Sequence, residues 1–460
     1  MPANGVLGRG VLVLAAVLGL GSQASAQQDR SRNPAGAISA EDLLNRLDTN
    51  RDGLLDRDEL GRLPQAGRGQ LAFDELDIDG SGTLDRDEIE LGLRLARDYA
   101  APPRDAANRP RPSYPDPVLH ADLPYARRDA APARLVSLDV YTPRPNRSKP
   151  GAPVPANQPA TDPPVTDSTT DPAPTTTSTA SAPAGPAAQT PPAGLPVVVM
   201  IHGGGWRMGD KANRSVGMEK ARFFCAAGCV YVSINYRLSP AVRHPAHVED
   251  VAEAVAWVHR QIGRFGGDPE RIFLMGHSAG AHLAALVSTD QRRLARHDKP
   301  LSVVRGVILL DGAGYDLERQ IPVARGSRLY GGMFEAAFGT DPKVWKDASP
   351  ITHVMPDAGI PPFLILYCAE RPAARDQSDA LARKLNAAGS PSRSLGIRGK
   401  THASINGDIG TAGDAVTSEI VGFLRGNGAE VRWPAALGPE PGSDSRSGAA
   451  PGPSTRPAGR

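Results

Sequence analysis

Two short segments carry residue types suited to acyl chemistry. His202-Gly203-Gly204-Gly205-Trp206 follows the apolar run Val197 to Ile201, and Gly276-His277-Ser278-Ala279-Gly280 follows Arg271 to Met275. A serine between two glycines, with a strand before it and a helical pattern through Ala284, Ala285 and Leu286 after it, is the sequence form of a nucleophile elbow. Gly276 and Gly280 allow the tight turn and close helix–strand packing. A serine that attacks a carbonyl develops an oxyanion, which needs preorganised donors. The backbone N–H groups of Gly204, Gly205 and Ala279 fit that need.

The serine also needs a base, and the base an orienting acid. With the order nucleophile, acid, histidine, the histidines after Ser278 are His282, His297, His353 and His402. His282 lies one turn along the elbow helix and cannot face Ser278 from an opposing loop. The strand Pro362 to Tyr367 runs into Cys368-Ala369-Glu370, which places a carboxylate at its end, and His402 is the one histidine beyond it. The expected triad is Ser278, Glu370 and His402. Asp311, ending the strand Val307 to Leu310, and Asp376 stand as alternative acids. His277 is expected to shape the pocket, and His120, His244 and His247 to be structural.

A second chemistry lies nearer the start. Residues 48–59 place oxygen-bearing side chains at Asp48, Asn50, Asp52 and Asp56, a glycine at Gly53 and a carboxylate at Glu59; residues 77–88 repeat this with Asp77, Asp79, Ser81, Asp85, Gly82 and Glu88. Ca²⁺ takes six to eight hard oxygens, a glycine at loop position 6 permits the sharp turn, and a glutamate at position 12 supplies two oxygens. Leu54 and Thr83 would add backbone carbonyls, and Leu55 and Leu84 would pair between the loops. Ser39 is a plausible N-cap for the helix through Leu43, Leu44 and Leu47. The pattern predicts a pair of EF-hands over 38–98 binding Ca²⁺, with no cofactor required for acyl chemistry.

The elements that position these residues are short continuous apolar strands, the mark of a mostly parallel buried sheet. Residues 144–194 are Pro, Ala, Thr, Ser and Asp with Val154 and Val165, too little apolar surface to offset ordering entropy. Strand-like sequence on both sides predicts a loop inserted between strands of one sheet. The stretch 435–460 reads as a disordered tail. Arg9, the apolar run Val11 to Leu20 and Ala24-Ser25-Ala26 form an export signal, with mature chain from about Gln27 in the periplasm or outside the cell. The run is too short to span a membrane.

With 52 Lys+Arg against 50 Asp+Glu, no basic excess is available to neutralise phosphates, which argues against a nucleic-acid partner. Cys225, Cys229 and Cys368 are expected to be small buried hydrophobes.

From about Val118 to Leu424, outside the insertion, the sequence resembles the α/β-hydrolase superfamily, in its esterase/lipase branch of hormone-sensitive-lipase-like, feruloyl-esterase-like and kynurenine-formamidase-like enzymes. HGGGW and GHSAG carry the resemblance, with Asn235-Tyr236-Arg237-Leu238-Ser239-Pro240, Glu249-Asp250 and Gly266-Gly267-Asp268-Pro269. It implies an α/β-hydrolase domain over 118–427, Ser278 as nucleophile, His402 as base, and Gly204, Gly205 and Ala279 as oxyanion donors. Glu370, seven residues before Gln377-Ser378, matches the formamidase-like form of the acid loop. The expected activity is hydrolysis of small-acyl or aryl esters, with residues 321–345 as a short cap. An arylformamidase or amidase on the same triad, and a non-catalytic calcium-dependent binding protein on this scaffold, are the competing readings.

Overall fold

The computed structural model describes residues 39–61, 82–86, 89, 112–126, 132–144, 194–325 and 328–441. The stretches expected to be an export signal and an insertion lie outside the described residues, apart from residues 144 and 194. Among the described residues, no helix is long and apolar enough to cross a membrane.

Among the described residues, the first element is α1 (Ala40–Leu47), capped by Ser39, which with Asp42 forms a reciprocal capping box. β1 (Leu55–Asp56) leads into α2 (Arg57–Gly61). β1 pairs antiparallel with β2 (Thr83–Leu84), placing Leu55 opposite Leu84. Both leucines are buried, so the two loops are joined by the apolar pair at position 8 of each.

An eight-stranded sheet follows: β3 (Val118–Pro124), β4 (Ser137–Thr142), β5 (Leu195–Ile201), β6 (Val230–Ile234), β7 (Gly267–His277), β8 (Val304–Leu310), β9 (Phe363–Cys368) and β10 (Ser392–Ile397), in spatial order β10-β9-β8-β7-β5-β6-β4-β3. β3 and β4 pair antiparallel with their neighbours, and the rest are parallel. β4 and β5, which flank the insertion, belong to this one sheet with β6 between them.

The continuous apolar runs resolve into a two-residue period. Val197, Val199 and Ile201 of β5 join one core cluster, while Val198 and Met200 join the other. β8 divides likewise, Val307 and Leu309 against Ile308 and Leu310. Such strands have no polar face because both sides are covered by helices.

Among the described residues, the helices that accompany this sheet are α3 (Met218–Ala226), α4 (Ala246–Gln261), α5 (Ala279–Thr289), α6 (Gln291–Ala295), α7 (Leu317–Ala324), α8 (Arg328–Phe338), α9 (Pro342–Asp347), α10 (Pro372–Ala387), α11 (Ser404–Gly407) and α12 (Ala415–Gly426). α4 and α5 cover one face through Val251, Val255, Leu283 and Leu286. Phe223 and Phe224 of α3 and Ile420 and Phe423 of α12 cover the other. Every residue of α5 is buried. The loops that carry chemistry all leave the C-terminal ends of parallel strands, the usual ligand edge of an open α/β sheet.

One detail differs from expectation. The segment from Pro434 does not begin a disordered tail: Ala435–Leu437 form a 3₁₀ turn with Leu437 buried. The Trp433 ring N–H donates to Gly438 O at 3.0 Å, which closes that turn. Residues 442–460 lie outside the described part. The three cysteines are free and buried, and burial pushes the Cys229 thiol up to about 12.

Candidate active site

Ser278 occupies the turn between β7 and α5 with φ 55° and ψ −120°, a conformation that L-residues rarely adopt and that surrounding contacts must hold. Its N–H donates to Leu310 O at 3.0 Å, and its carbonyl accepts from the N–H groups of Ala281 and His282. The glycines around it are required by contact. A Cβ on Gly276 would lie 2.2 Å from Gly280 O, and one on Gly280 2.1 Å from Ile201 O. The elbow is thus pressed against the end of β5, where the HGGGW loop begins.

A Cβ on Gly203 would sit 3.0 Å from Ser278 Cβ, so this loop passes beside the serine. Gly204 and Gly205 have φ of 120° and 60°, turning their peptides in a way that other residues would resist. Among the described residues, none of the N–H groups of Gly204, Gly205 and Ala279 meets a protein acceptor. Two buried histidines anchor the loop. His202 stacks on Tyr236 at 4.4 Å, and its Nδ1–H donates to Gly203 O at 2.8 Å. Trp206 Nε1–H donates to His282 Nδ1 at 3.2 Å, while His282 Nε2–H donates to Ala348 O at 2.8 Å. A carbonyl can only accept, which fixes the His282 tautomer. Burial pushes its pKa down to about 3, so the anchor is a neutral ring. α8 covers the loop from above: Trp206 meets Phe334 and Phe338 at 5.5 and 4.9 Å between centroids. Met333 Sδ lies 2.6 Å from where a Gly205 Cβ would stand.

His402 follows β10. Its Nδ1 lies 2.6 Å from Asp311 Oδ2. Asp311 directly follows β8, at φ 45°, and its N–H donates to Leu366 O at 2.7 Å. Asp311 Oδ1 accepts the Cys368 N–H at 3.0 Å, and the Arg371 guanidinium contacts Oδ2. Burial alone would raise this carboxyl, but the hydrogen bond from His402 and the charges of His402 and Arg371 hold it well below the usual carboxylate range. The carboxylate that orients His402 is therefore Asp311, and the expectation of Glu370 is corrected. β9 ends at Cys368, and the chain turns outward over Ala369 and Glu370, leaving Glu370 exposed. Its Oε1 accepts the Gly399 N–H at 3.3 Å. Asp376, on α10, pairs with Arg375 at 3.3 Å in an exposed setting. The sequence signal that points to Asp311 is its place: it directly abuts an apolar strand, whereas Glu370 stands two residues past one.

His277, expected to shape the pocket, has a more definite place. Its Nε2–H donates to His402 O at 2.7 Å, and the two rings lie 4.5 Å apart. Lys220 Nζ donates to Asn406 O at 2.7 Å on the same loop. His402 is thus held through its main chain as well as through Asp311. His244 bonds Asp347 at 2.9 Å, His247 Nε2 lies 3.0 Å from Ser239 Oγ, and His120 packs on Phe265.

In the first EF-hand loop, Asp48 accepts the N–H groups of Arg51 (2.6 Å) and Gly53 (2.9 Å), and Asp52 accepts that of Leu54 (2.8 Å). Gly53 has φ 80°. Glu59 Oε1 accepts from Thr49 N–H (2.8 Å) and Asn50 N–H (3.3 Å), drawing loop position 12 onto positions 2 and 3. Glu59 Oε2 accepts the Asp56 N–H at 3.1 Å, and Asp56 Oδ1 accepts the Glu59 N–H at 2.8 Å. Burial opposes ionisation of Glu59, but these donors outweigh it and hold its pKa below the usual value. A buried carboxylate kept ionised at loop position 12 suits a hard cation. Of the second loop, Thr83 and Asp85 are described, and Gly82 repeats the turn at φ 82°. Asp77, Asp79, Ser81 and Glu88 lie outside the described residues.

Comparison with known proteins agrees with this architecture. Residues 186–385 match the BD-FAE family model, and residues 40–64 and 70–93 match an EF-hand model. Esterase LipQ of Mycobacterium tuberculosis is 33% identical over 204 residues, 42% of this chain and 46% of that protein. The kynurenine formamidase of Meyerozyma guilliermondii is 32% identical over 164 residues, 35% of this chain and 59% of that enzyme. The chain thus spans about half the length of the curated relatives it matches. Among solved structures, an inhibited esterase B from Lactobacillus rhamnosis superposes with a TM-score of 0.51 at 18% identity, covering 74% of this chain and 95% of that one. The chain therefore combines an α/β-hydrolase fold, matched in its central segment to the BD-FAE family, with an EF-hand pair ahead of it.

Proposed function

We propose that the protein is an exported serine carboxylesterase acting on small-acyl or aryl esters, with Ser278 as nucleophile, His402 as base and Asp311 as orienting acid. The observation that carries this reading is the 2.6 Å contact of His402 Nδ1 with Asp311, on a loop tied by His277 to the elbow that holds Ser278. Asp311 keeps the proton on Nδ1, which leaves Nε2 free to take the Ser278 hydroxyl proton. Oγ then attacks the ester carbonyl, and the N–H groups of Gly204, Gly205 and Ala279 receive the developing oxyanion. Nε2 hands its proton to the departing alcohol. Water repeats the sequence on the acyl-enzyme and restores Ser278.

Met333, Phe334 and Phe338 of α8 close over the oxyanion loop, which supports a short acyl pocket. An arylformamidase uses the same groups, and the similarity to a kynurenine formamidase keeps that reading as the second one. Initial rates on p-nitrophenyl esters from acetate to decanoate, beside an N-formyl aryl amide, separate them. The expected result is at least tenfold preference for acetate or butyrate over decanoate, with the formamide slower. A faster formamide overturns the ester assignment in favour of the amidase.

The first EF-hand loop would hold Ca²⁺ through Asp48, Asn50, Asp52, Glu59 and the Leu54 carbonyl, with Asp56 at position 9; a bound ion there supplies charge that fastens the loop. Glu59→Gln removes one anionic oxygen of a bidentate ligand. We expect it to weaken one site at least tenfold in a calorimetric Ca²⁺ titration while leaving ester turnover within about twofold. An unchanged isotherm would show that this loop is not a calcium site.

A further inference from the structure

Arg371 brings a third charge to the pair that activates Ser278. Its Nη1 contacts Asp311 Oδ2 and lies 2.7 Å from His402 Nδ1, which is itself 2.6 Å from that same Oδ2. A guanidinium nitrogen, an imidazole nitrogen and a carboxylate oxygen therefore meet at one point. The other oxygen of Asp311 is engaged by the Cys368 N–H at 3.0 Å, so Oδ2 is shared.

The chemistry at this point is exclusive. A guanidinium donates and never accepts. When Nδ1 carries its proton, it donates to Oδ2 and faces a fixed cation at contact distance. When Nδ1 is bare, an Arg371 N–H can donate to it, the ring proton moves to Nε2, and Ser278 has no base. In the first, productive arrangement the cation opposes the imidazolium that forms as Ser278 loses its proton. The other ionisable groups around the pair add less. His277, at the end of β7, is neutral through burial, and Lys220 of α3 stands beyond it. Cys368 and Tyr315 are buried next to Asp311 with their titration pushed up, away from the working range. Glu370 is exposed and turned toward Gly399.

We propose that Arg371 is a positioning residue that biases which nitrogen of His402 carries the proton and keeps the base unprotonated in more acidic surroundings. The inference rests on the assignment of Ser278 and His402 above. Asp311 on its own would orient the imidazole but also favour its cation, so the enzyme would lose its base at higher pH. The guanidinium cancels part of that pull while holding the carboxylate in place.

The test is kcat/KM for p-nitrophenyl acetate against pH in wild type, Arg371→Met and Arg371→Lys, with Ser278→Ala as the blank. Removing the cation should move the acidic limb of Arg371→Met upward by about one pH unit, and Arg371→Lys should keep it within about 0.3 unit. A residue with only a structural role would lower the plateau and leave the limb in place. Should Arg371→Met fail to fold, Arg371→Gln carries the same charge change. A limb unmoved in a folded neutral variant, with turnover still dependent on Ser278, overturns this proposal alone. Wild-type turnover that survives Ser278→Ala overturns the triad assignment, and this proposal with it.

Discussion

Ser278→Ala is expected to lower kcat on p-nitrophenyl acetate by roughly 10⁴- to 10⁶-fold while leaving the melting temperature within a degree or two. The two halves of this expectation have separate causes. Without Oγ no acyl-enzyme forms, and His402 and the oxyanion donors retain only the small acceleration that binding and electrostatics give to direct attack by water. The fold is spared because Ala keeps the Cβ. Ser278 already holds φ 55° as a residue with a side chain, so the substitution neither relieves nor adds backbone strain. A substitution at Gly280 would do the opposite, since its Cβ would meet Ile201 O at 2.1 Å and force α5 away from β5. The measurement is an initial-rate assay beside a thermal melt of both proteins. A rate that persists in folded Ser278→Ala places the nucleophile elsewhere.

The features legible in the sequence are the local ones. The elbow and the HGGGW loop each sit directly after an apolar strand, and their glycines report steric demands made within a few residues. Leu55 and Leu84 are legible as partners because each EF-hand loop fixes the same position, and they do pair across β1 and β2. The acid is not legible in the same way. Whether Asp311 or Glu370 faces His402 depends on how far β8 and β9 project and which way the chain turns beyond them, a comparison between neighbouring strands. The order rule admits both, because both lie between Ser278 and His402. The role of His277 is also hidden: its partner is a main-chain carbonyl 125 residues away, and backbone acceptors leave no trace in side-chain spacing. Trp433 and Leu437 likewise fold back through ring and backbone contacts that a Pro- and Gly-rich composition conceals.

Asp311→Asn is expected to cost on the order of 10³- to 10⁴-fold in kcat, whereas Glu370→Gln should change it by less than about twofold. The amide preserves the size of Asp311 and the acceptor for the Cys368 N–H. Its NH₂ must then occupy the place of Oδ2, where it meets the Arg371 guanidinium and His402 Nδ1. A donor at that place pairs with a bare Nδ1, so the ring proton moves to Nε2 and the base is lost. The imidazolium that would form on proton transfer also loses its counter-charge. The same substitution reports on acid stability, because the Asp311 carboxyl is held below its ordinary range in the folded chain. A group so depressed contributes stability above its unfolded pKa of about 4 and loses it as pH falls below that value. Asp311→Asn should therefore be less stable than wild type at neutral pH and should close part of that gap below about pH 4. Glu370, exposed and bonded to the Gly399 N–H, offers neither effect. Parallel kcat measurements and melts from pH 3 to 8 on the two variants decide the matter. Collapse of Glu370→Gln with an active Asp311→Asn would mean that the acid comes from the end of β9 after all.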